Sequence, residues 1–333
     1  EVNTIRKKEL EKIAQTCQWV PANPARSFYE EIQAFWFVWI MLQPGLAAAG
    51  RFDQYMYPFY KKDVEEGRIK KGKDISERTF PLENAVVINA VGMINVVDSL
   101  AAIKKLVFDE KKVTMKELKV ALDTNWQGNG YEEIRKMCLA APEFGNDDDY
   151  VDSIAKELYQ FFADTTASLD TYIGGTHKPS GISISAMWPG GGLTGATPDG
   201  RYAGEVLADG TMSPGQGRDT HGPTAVIKSA SKIDQVPYQS TLMNMKFHPT
   251  ALKSTEDMKR LSDLIRTYFS LGGKHIQFNV VGKETLLDAQ RQPEKYRDLV
   301  VRVAGYSAYF IQLGNPIQDD IIRRMEYEKR FLS

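Results

Sequence analysis

A glycine stands inside a short apolar and aromatic segment near the C-terminus, residues 302–310 (RVAGYSAYF). Glycine loses more backbone entropy on folding than any other residue and adds no side chain to a core, so it weakens an ordinary buried strand. The same position suits another chemistry. Because glycine has no Cβ, its Cα can flatten and share an unpaired electron with the flanking amides. Gly305 therefore marks either a weak point in a strand or a backbone position suited to a radical held among apolar neighbours.

The composition is that of a soluble globular protein with one large or two ordinary domains. Of the 333 residues, 42% are hydrophobic and 26% are charged. A net charge of -1 argues against general binding to nucleic acid or to a membrane surface. The most apolar segment, residues 34–42, is too short to span a bilayer, and no secretory leader is recognisable. We expect a cytoplasmic protein with neither kind of partner.

The metal-ligating residue types are few and widely spaced. The two cysteines, Cys17 and Cys138, form no CxxC pair, so neither an iron–sulfur cluster nor a structural zinc site is indicated. Both lie in helical patterns, and we expect them to face a core. The four histidines lack the spacing of known zinc motifs, and each is interpreted as a hydrogen-bonded residue rather than a ligand. They are His177, His221, His248 and His275.

Apolar periodicity predicts a chain that is mainly helical before residue 170 and mixed after it. The expected helices are residues 1–19, 28–43, 93–108, 114–125, 131–141, 151–168, 256–271 and 317–330. The expected strands are residues 227–233, 242–247, 275–281 and 299–304, with Gly305 at the loop between the last strand and the last helix. Residues 61–78 are highly charged and indicate a surface linker.

Two polar segments allow competing interpretations. The acidic run Asp147–Asp149 lacks the alternating ligands of a calcium loop and is interpreted as a turn that caps the next helix. Residues 172–224 are rich in glycine and proline and indicate tight loops around a site. Within them, Gly190–Gly192 lacks the GK[ST] ending of a phosphate-binding loop.

Several segments together resemble the glycyl radical enzymes, the relatives of pyruvate formate-lyase. The segment RVAGYSAYF is flanked by HIQFNVV at residues 275–281 and by QDDII at residues 318–322, in the order found in the C-terminal radical domain of that family. The segments WVPANPARSFYE, GRFDQYMYPFY and TGATPDGR are similar to the family as well. The HIQFNVV and RVAGYSAYF forms look more like the decarboxylase, dehydratase and fumarate-adding branches of the family than like pyruvate formate-lyase itself.

The resemblance implies an α/β fold that is a shortened form of the ten-stranded barrel of these enzymes, with surrounding helices. Residues 1–170 would be the mainly helical portion of the pyruvate formate-lyase-like domain, and residues 171–333 would be the glycyl radical domain. Near residues 61–80 the family carries a long segment with several strands and the catalytic cysteine, so the resemblance implies an internal deletion there. We expect exposed strand edges in consequence.

The resemblance also implies a mechanism. Gly305 would carry the radical, with Arg302, Val303, Ala304, Tyr306 and Ser307 as its loop context. No cofactor would be bound, because a separate activating enzyme that uses S-adenosylmethionine would remove a hydrogen atom from the glycine under anaerobic conditions. The other partners would be a small organic substrate and, as an open alternative, a second copy of the chain in a homodimer.

One part of that mechanism has no residue assigned to it. The stored radical passes to a cysteine in the family, and neither Cys17 nor Cys138 is followed by the Val-Glu pair of the family's cysteine loop. The sequence therefore leaves three hypotheses open. The chain is a glycyl radical lyase that cleaves a C–C, C–O or similar bond, or it is a non-catalytic scaffold or a radical-domain repair module that docks on a full-length partner.

Overall fold

The chain is divided into two compact units. A computed structural model describes residues 4–20, 22–34, 52–68, 86–170, 176–183 and 185–328. The contacts separate Glu1–Leu82 from Glu83–Ser333. None of the helices in the described residues is long and apolar enough to cross a membrane.

The first unit is helical where it is described. Helix α1 spans Thr4–Cys17, residues 28–34 form α2, and α3 spans Phe52–Glu65. Ser27 caps α2, because its hydroxyl accepts a hydrogen bond from the Glu30 N–H at 3.3 Å. The predicted continuation of α2 to residue 43 lies outside the described residues. The linker prediction was wrong for residues 61–65, which complete α3, and residues 69–78 are not described.

The second unit mixes helices with short strands. Its helices are α4 (Met93–Ile103, continued by a π-helical turn over Lys104–Asp109), α5 (Met115–Asp123), α6 (Tyr131–Leu139), α7 (Asp149–Ala167), α8 (Met187–Leu193), α9 (Pro223–Ser231), α10 (Thr255–Ser270), α11 (Lys283–Arg291) and α12 (Asn315–Arg323). Its strands are β1 (Val86–Asn89), β2 (His177–Ser180), β3 (Asn244–Phe247), β4 (Gln277–Val280), β5 (Val300–Arg302), β6 (Ser307–Tyr309) and β7 (Glu326–Tyr327).

The described strands form three small sheets. Strands β1 and β2 pair in parallel. Strand β3 lies between β4 and β7, and both pairings are parallel, with Phe247 opposite Val280 on one side and Tyr327 on the other. Strands β5 and β6 form an antiparallel hairpin. The three-stranded parallel sheet and this hairpin carry the residues around Gly305.

Helix caps agree with the sequence. Thr114 and Glu117 form a reciprocal capping box at the start of α5, the helix that the sequence predicts from residue 114. The side chain of Asp148 accepts a hydrogen bond from the Tyr150 N–H at 2.9 Å and caps α7. The acidic run at residues 147–149 is therefore a helix-capping turn, as interpreted from its composition.

The loops of residues 194–205 fold around a buried guanidinium. Arg201 is buried and donates hydrogen bonds to four backbone carbonyls, those of Thr194, Gly195, Tyr202 and Glu205. Backbone carbonyls that would otherwise be buried without partners are satisfied in this way. Gly190–Gly192 lies inside α8, which is not the strand–loop–helix context of a phosphate loop.

The predictions of one strand and of the end of the last helix were wrong. Residues 227–233 were expected to form a strand but lie largely in α9, which begins with Pro223 at its first position, a favoured place for proline, and buries Val226 and Ala230. The last helix was expected to reach residue 330, but α12 ends at Arg323. The chain then forms β7, because Tyr327 pairs with Phe247 and becomes buried.

Apolar side chains cover the inner face of the β5–β6 hairpin. Val301, Val303, Ala304 and Phe310 are buried together with Leu242 and with residues of α11 and α12. We call this group the hairpin core. A separate group of buried residues packs α4, α7 and α9 against β3, and a third lies between α4, α5 and α6.

Candidate functional site

Gly305 lies at the tip of the β5–β6 hairpin. Arg302 is paired with Ser307 at the end of the ladder, and the Val303 N–H donates a hydrogen bond to the Tyr306 carbonyl at 2.9 Å. Gly305 has a φ of 86°, in the left-handed region that residues with a Cβ avoid. The tip of the hairpin therefore needs a glycine for conformational reasons alone.

The surroundings of Gly305 are apolar on one side and open on the other. An added Cβ would lie 3.4 Å from Leu242 Cδ1 and 3.7 Å from Ile182 Cγ2, which are ordinary van der Waals distances. Val303 and Ala304 are fully buried in the hairpin core, whereas Gly305 itself is exposed among the described residues. The dry surroundings expected for a radical are thus present on one face of the loop.

Asn279 binds the backbone of the strand that leads to Gly305. Its Oδ1 accepts a hydrogen bond from the Arg302 N–H at 2.7 Å, and its Nδ2 donates one to the Arg302 carbonyl at 2.8 Å. Asn279 is 5% exposed. One side-chain amide in β4 thus satisfies both backbone groups of Arg302, in the manner of a neighbouring strand.

The carbonyl of Val303 accepts two more hydrogen bonds from buried side chains. Asn244 Nδ2 in β3 lies 3.1 Å away, and Arg324 Nη1, just beyond α12, lies 2.9 Å away. Arg302 and Val303 are therefore held by three different elements before the chain reaches Gly305. The position of Gly305 is set by these contacts rather than by its own.

A buried ionic network supports the Val303 carbonyl. Arg324 Nη2 lies 2.7 Å from Asp320 Oδ2 and 3.3 Å from Asp209 Oδ2, and all three residues are buried. Burial raises the pKa of Asp209 to about 6, although the Arg324 guanidinium opposes that shift. Asp209 also accepts a hydrogen bond from Asn244, which connects the network to β3.

The side chain of Arg302 continues the network along the hairpin. Its Nε donates a hydrogen bond to Gln277 Oε1 at 2.8 Å, and its Nη1 donates one to Ser307 Oγ at 3.1 Å. Gln277 in turn donates a hydrogen bond to Asn244. Tyr306 is half-buried against the hairpin core.

The structure brings all six sequence-predicted residues together in one hairpin. Sequence reasoning missed their buried polar partners, which are Asp209, Asn244, Gln277, Asn279, Asp320 and Arg324. A signal for two of them was present. Gln277 and Asn279 are two residues apart in a predicted strand and share one face of it, where an otherwise apolar strand offers two amides.

The two cysteines lie away from the hairpin core or in the other unit. Cys138 is buried between α4, α5 and α6, and burial raises the pKa of its thiol to about 12. Cys17 ends α1 in the first unit and is exposed, so the expectation that it faces a core was wrong. A thiol at the last position of a short helix is free to point to solvent whatever the apolar pattern before it.

A charged cavity of about 180 Å³ lies beside the loops of residues 199–218. Asp98, Glu143, Asp199, Arg201 and Arg218 contribute to its walls. Glu143 forms an ion pair with Arg218, yet burial outweighs that attraction and raises the pKa of Glu143 to about 7. The loops predicted to surround a site thus do enclose a polar cavity, separate from Gly305.

Comparison with known proteins agrees with this geometry. A family described as "Pyruvate formate lyase-like" matches residues 1–75 and 69–191, and a family described as "Glycine radical" matches residues 208–311, which include Gly305. The two pyruvate formate lyase-like matches meet at residues 69–75, within the region where the sequence predicts a deletion.

Individual relatives are similar over about three quarters of the chain. Indoleacetate decarboxylase from Tractidigestivibacter scatoligenes is 42% identical over 281 residues, which are 78% of this chain and 32% of that protein. Trans-4-hydroxy-L-proline dehydratase from Clostridioides difficile is 41% identical over 259 residues, 78% of this chain and 32% of that protein. The structure of the B12-independent glycerol dehydratase from Clostridium butyricum matches with a TM-score of 0.70 and 47% identity, over 73% of this chain and 31% of that one.

The chain spans about a third of the length of the relatives it matches. Its helices and short parallel strands are accordingly a shortened α/β form of their barrel. Three findings indicate the same family. They are the hairpin with a glycine at positive φ, the match to the glycine radical family and the similarity to the relatives named above. The chain belongs to the glycyl radical enzyme family.

Proposed function

We propose that Gly305 stores a carbon-centred radical for a lyase reaction, the cleavage of a C–C, C–O or similar bond in a small organic substrate. The observation that supports this most directly is the hairpin tip. Gly305 has a positive φ and lies against apolar side chains. The backbone that precedes it is held by hydrogen bonds from Asn244, Asn279 and Arg324. A stored radical needs a backbone that is held in place, and these contacts restrict its movement.

The exposed face of Gly305 suits installation of the radical by another enzyme. We propose that an activating enzyme that uses S-adenosylmethionine removes one hydrogen atom from the Gly305 Cα. Such an enzyme must reach that carbon directly, and the open side of the hairpin tip permits this. Oxygen would destroy the radical, so an anaerobic cytoplasm is the setting that we propose. We also keep residues 171–333 as the proposed radical domain, which the glycine radical match at residues 208–311 supports.

The transfer of the radical to a thiol is not assigned to a cysteine of this chain. Cys138 is enclosed in a different apolar group from Val303 and Ala304, and Cys17 belongs to the other compact unit. The proposal for Gly305 therefore covers storage of the radical. The proposal does not specify the substrate. The relatives include decarboxylases, dehydratases and a sulfite-lyase, and we propose a substrate of one of these kinds of reaction.

Exposed apolar side chains on the hairpin and on β4 support a second candidate, a radical domain that docks on a full-length partner. Val280 is 50% exposed, Val300 is 55% exposed and Tyr309 is 45% exposed, and all three lie on strands of the hairpin or of its neighbour β4. Mixing the activated chain with a partner whose own glycine has been substituted would separate the candidates, because only a docking module restores the partner's activity.

Exposure to oxygen tests the storage of a radical at Gly305. After anaerobic activation, air should cleave the chain at Gly305 and release residues 306–333, 28 residues or about 3 kDa of the 37.5 kDa chain, visible by mass spectrometry. Production of 5′-deoxyadenosine in proportion to the chain proves that activation took place. An intact chain under those conditions would contradict the assignment.

A further inference from the structure

Three metal-ligating side chains meet at one edge of the three-stranded parallel sheet. His248, Glu284 and Glu326 each offer a ligand atom, and these atoms all lie within 4.8 Å of one another. They come from distant parts of the chain. His248 follows β3, Glu284 lies in the first turn of α11 after β4, and Glu326 lies in β7. Because β4 and β7 flank β3 in parallel, the pairing of the strands brings the three together.

The ring of His248 is held in a fixed orientation by Thr250. His248 Nδ1 lies 2.6 Å from Thr250 Oγ1 and also within hydrogen-bond distance of the Thr250 N–H, at 3.3 Å. The Thr250 N–H donates a hydrogen bond to Nδ1, so both contacts of the ring with Thr250 are made through that nitrogen. Nε2 is the ring nitrogen on the side of Gly282 and Glu284. In metal sites as well, a partner of the second ring nitrogen commonly fixes the orientation of the histidine.

Gly282 leaves room between two of the ligands. An added Cβ would lie 3.0 Å from His248 Nε2 and 3.6 Å from Glu284 Oε2. The backbone of Gly282, with φ -76° and ψ 146°, is a conformation that any residue adopts, so glycine is not needed there for the backbone. What its missing side chain provides is space beside the imidazole nitrogen and the carboxylate.

The side chains at this site carry more negative than positive charge. Two carboxylates lie beside one imidazole. Glu326 Oε2 accepts a hydrogen bond from the Lys283 N–H at 2.7 Å, and Lys246 Nζ is 3.8 Å from it. Lys246 is oriented towards the carbonyls of Ile321 and Ile322, at 3.3 and 3.0 Å. One ammonium shared with those carbonyls leaves the pair of carboxylates only partly neutralised.

We propose that His248, Glu284 and Glu326 bind a divalent first-row transition metal ion, with Zn²⁺ as the probe. One imidazole and two carboxylates form a ligand set that such ions accept, and the exposure of Glu284 lets water complete the coordination. The ion would join the ends of β3, β4 and β7. Strand β3 carries Asn244, and β4 carries Gln277 and Asn279. The ion would therefore stabilise the sheet whose side chains hold the hairpin tip.

Zinc titration of the full, non-activated chain tests this site. Isothermal titration calorimetry should show one tight site per chain, and Glu284→Gln should weaken it at least about 10-fold. Gly282→Ala should weaken it similarly, because its Cβ fills the space beside His248 Nε2 without changing any charge. The matched control Glu157→Gln, an exposed carboxylate on α7, should bind zinc as the parent chain does.

Glu284→Gln and Gly282→Ala together distinguish zinc bound at this site from zinc bound elsewhere on the chain. Zinc held by Cys17 or by another histidine would persist unchanged in Gly282→Ala. Glu284 is exposed and the backbone conformation of Gly282 is open to alanine, so both variants should fold, and unfolding of the metal-free variants within a few degrees of the parent checks this. Equal zinc affinity in the parent, Glu284→Gln and Gly282→Ala, or no tight site in the parent, would overturn the proposal. Because no radical is needed, the outcome is independent of the function proposed for Gly305.

Discussion

Gly305 is required twice, once by backbone conformation and once by the proposed chemistry. Its φ of 86° disfavours any residue with a Cβ, and a Cα radical is least hindered at glycine. The two requirements separate on substitution, because an alanine would be strained but not sterically blocked. Leu242 Cδ1 and Ile182 Cγ2 would be in normal contact with its Cβ.

Gly305→Ala should therefore fold and lose the radical. We expect a loss of about 1–2 kcal/mol in the free energy of unfolding, from the strain of a left-handed alanine. After anaerobic activation, electron paramagnetic resonance should show no glycyl signal in the variant and a clear one in the parent chain.

The matched control is Gly272→Ala, at the turn after α10. Gly272 has a φ of 98°, and no described atom lies within 4 Å of its added Cβ. This variant should lose a similar amount of stability while keeping the radical signal. A radical signal of normal size in Gly305→Ala would place the radical elsewhere.

Strand β4 acts on the hairpin mainly through one side chain. The Asn279 side chain makes the two hydrogen bonds to the backbone of Arg302 that a neighbouring strand would otherwise make. A strand would need a backbone N–H and a carbonyl in register to do so. A side-chain amide can make both hydrogen bonds from a single position, so the hairpin can approach β4 without joining its sheet. The tip is then held firmly although β5 and β6 are only three residues long.

Asn279→Ala should destabilise the second unit and loosen the hairpin. The change leaves the buried N–H of Arg302 without its partner and weakens the bonding of the Arg302 carbonyl, at a cost of roughly 2–3 kcal/mol. Hydrogen exchange at the amides of the hairpin should become faster, as measured by mass spectrometry.

Asn315→Ala, an exposed substitution at the start of α12, provides the comparison and should change stability by less than about 0.5 kcal/mol. If both variants showed parental exchange rates in the hairpin, Asn279 would not hold the loop.

The second unit as a whole carries buried carboxylates that favour their protonated form. Desolvation raises the pKa of Glu143 to about 7 and that of Asp219 to about 6, and it raises the pKa of Asp98 well above its usual value. A group whose pKa is higher in the folded chain than in the unfolded chain binds more protons when folded. The stability that it contributes is complete below its unfolded pKa and is lost as the pH rises through its folded pKa.

Glu143→Gln should flatten the dependence of stability on pH. The contribution of Glu143 to the free energy of unfolding is lost as the pH rises from 4.5 to about 7. The shift of its pKa corresponds to about 3 kcal/mol at most. The variant should unfold at nearly the parental denaturant concentration at pH 4.5 and at a higher one than the parent at pH 8.

Glu157→Gln, which alters an exposed carboxylate on α7, should follow the pH profile of the parent chain. A parental pH profile in Glu143→Gln as well would show that the cavity beside Arg218 solvates the Glu143 carboxylate better than its burial implies.

Local patterns were sufficient for much of this protein. The capping boxes, the amphipathic helices α5, α7 and α10 and the strands β3 and β4 are predictable, because each depends on residues a few positions apart. The glycine within residues 302–310 could be recognised for the same reason. Its immediate neighbours in sequence are also the residues of its turn.

Other features depend on residues that are distant in sequence, and only the folded chain decides them. Residues 227–233 form a segment too short for its apolar pattern to distinguish a strand from a helix, and burial of Val226 and Ala230 against the core selects the helix. The end of α12 at Arg323 depends on the pairing of Tyr327 with Phe247, which is 80 residues away in sequence.

The same distinction separates the two sites. The residues of the hairpin tip are contiguous, so the sequence alone was sufficient to propose Gly305 and its neighbours as a site. The amides and ions that hold the tip, and the trio of His248, Glu284 and Glu326, have no regular spacing along the chain. Their positions follow from the parallel pairing of β4, β3 and β7, because hydrogen bonds between strands set the register that brings distant side chains to one edge.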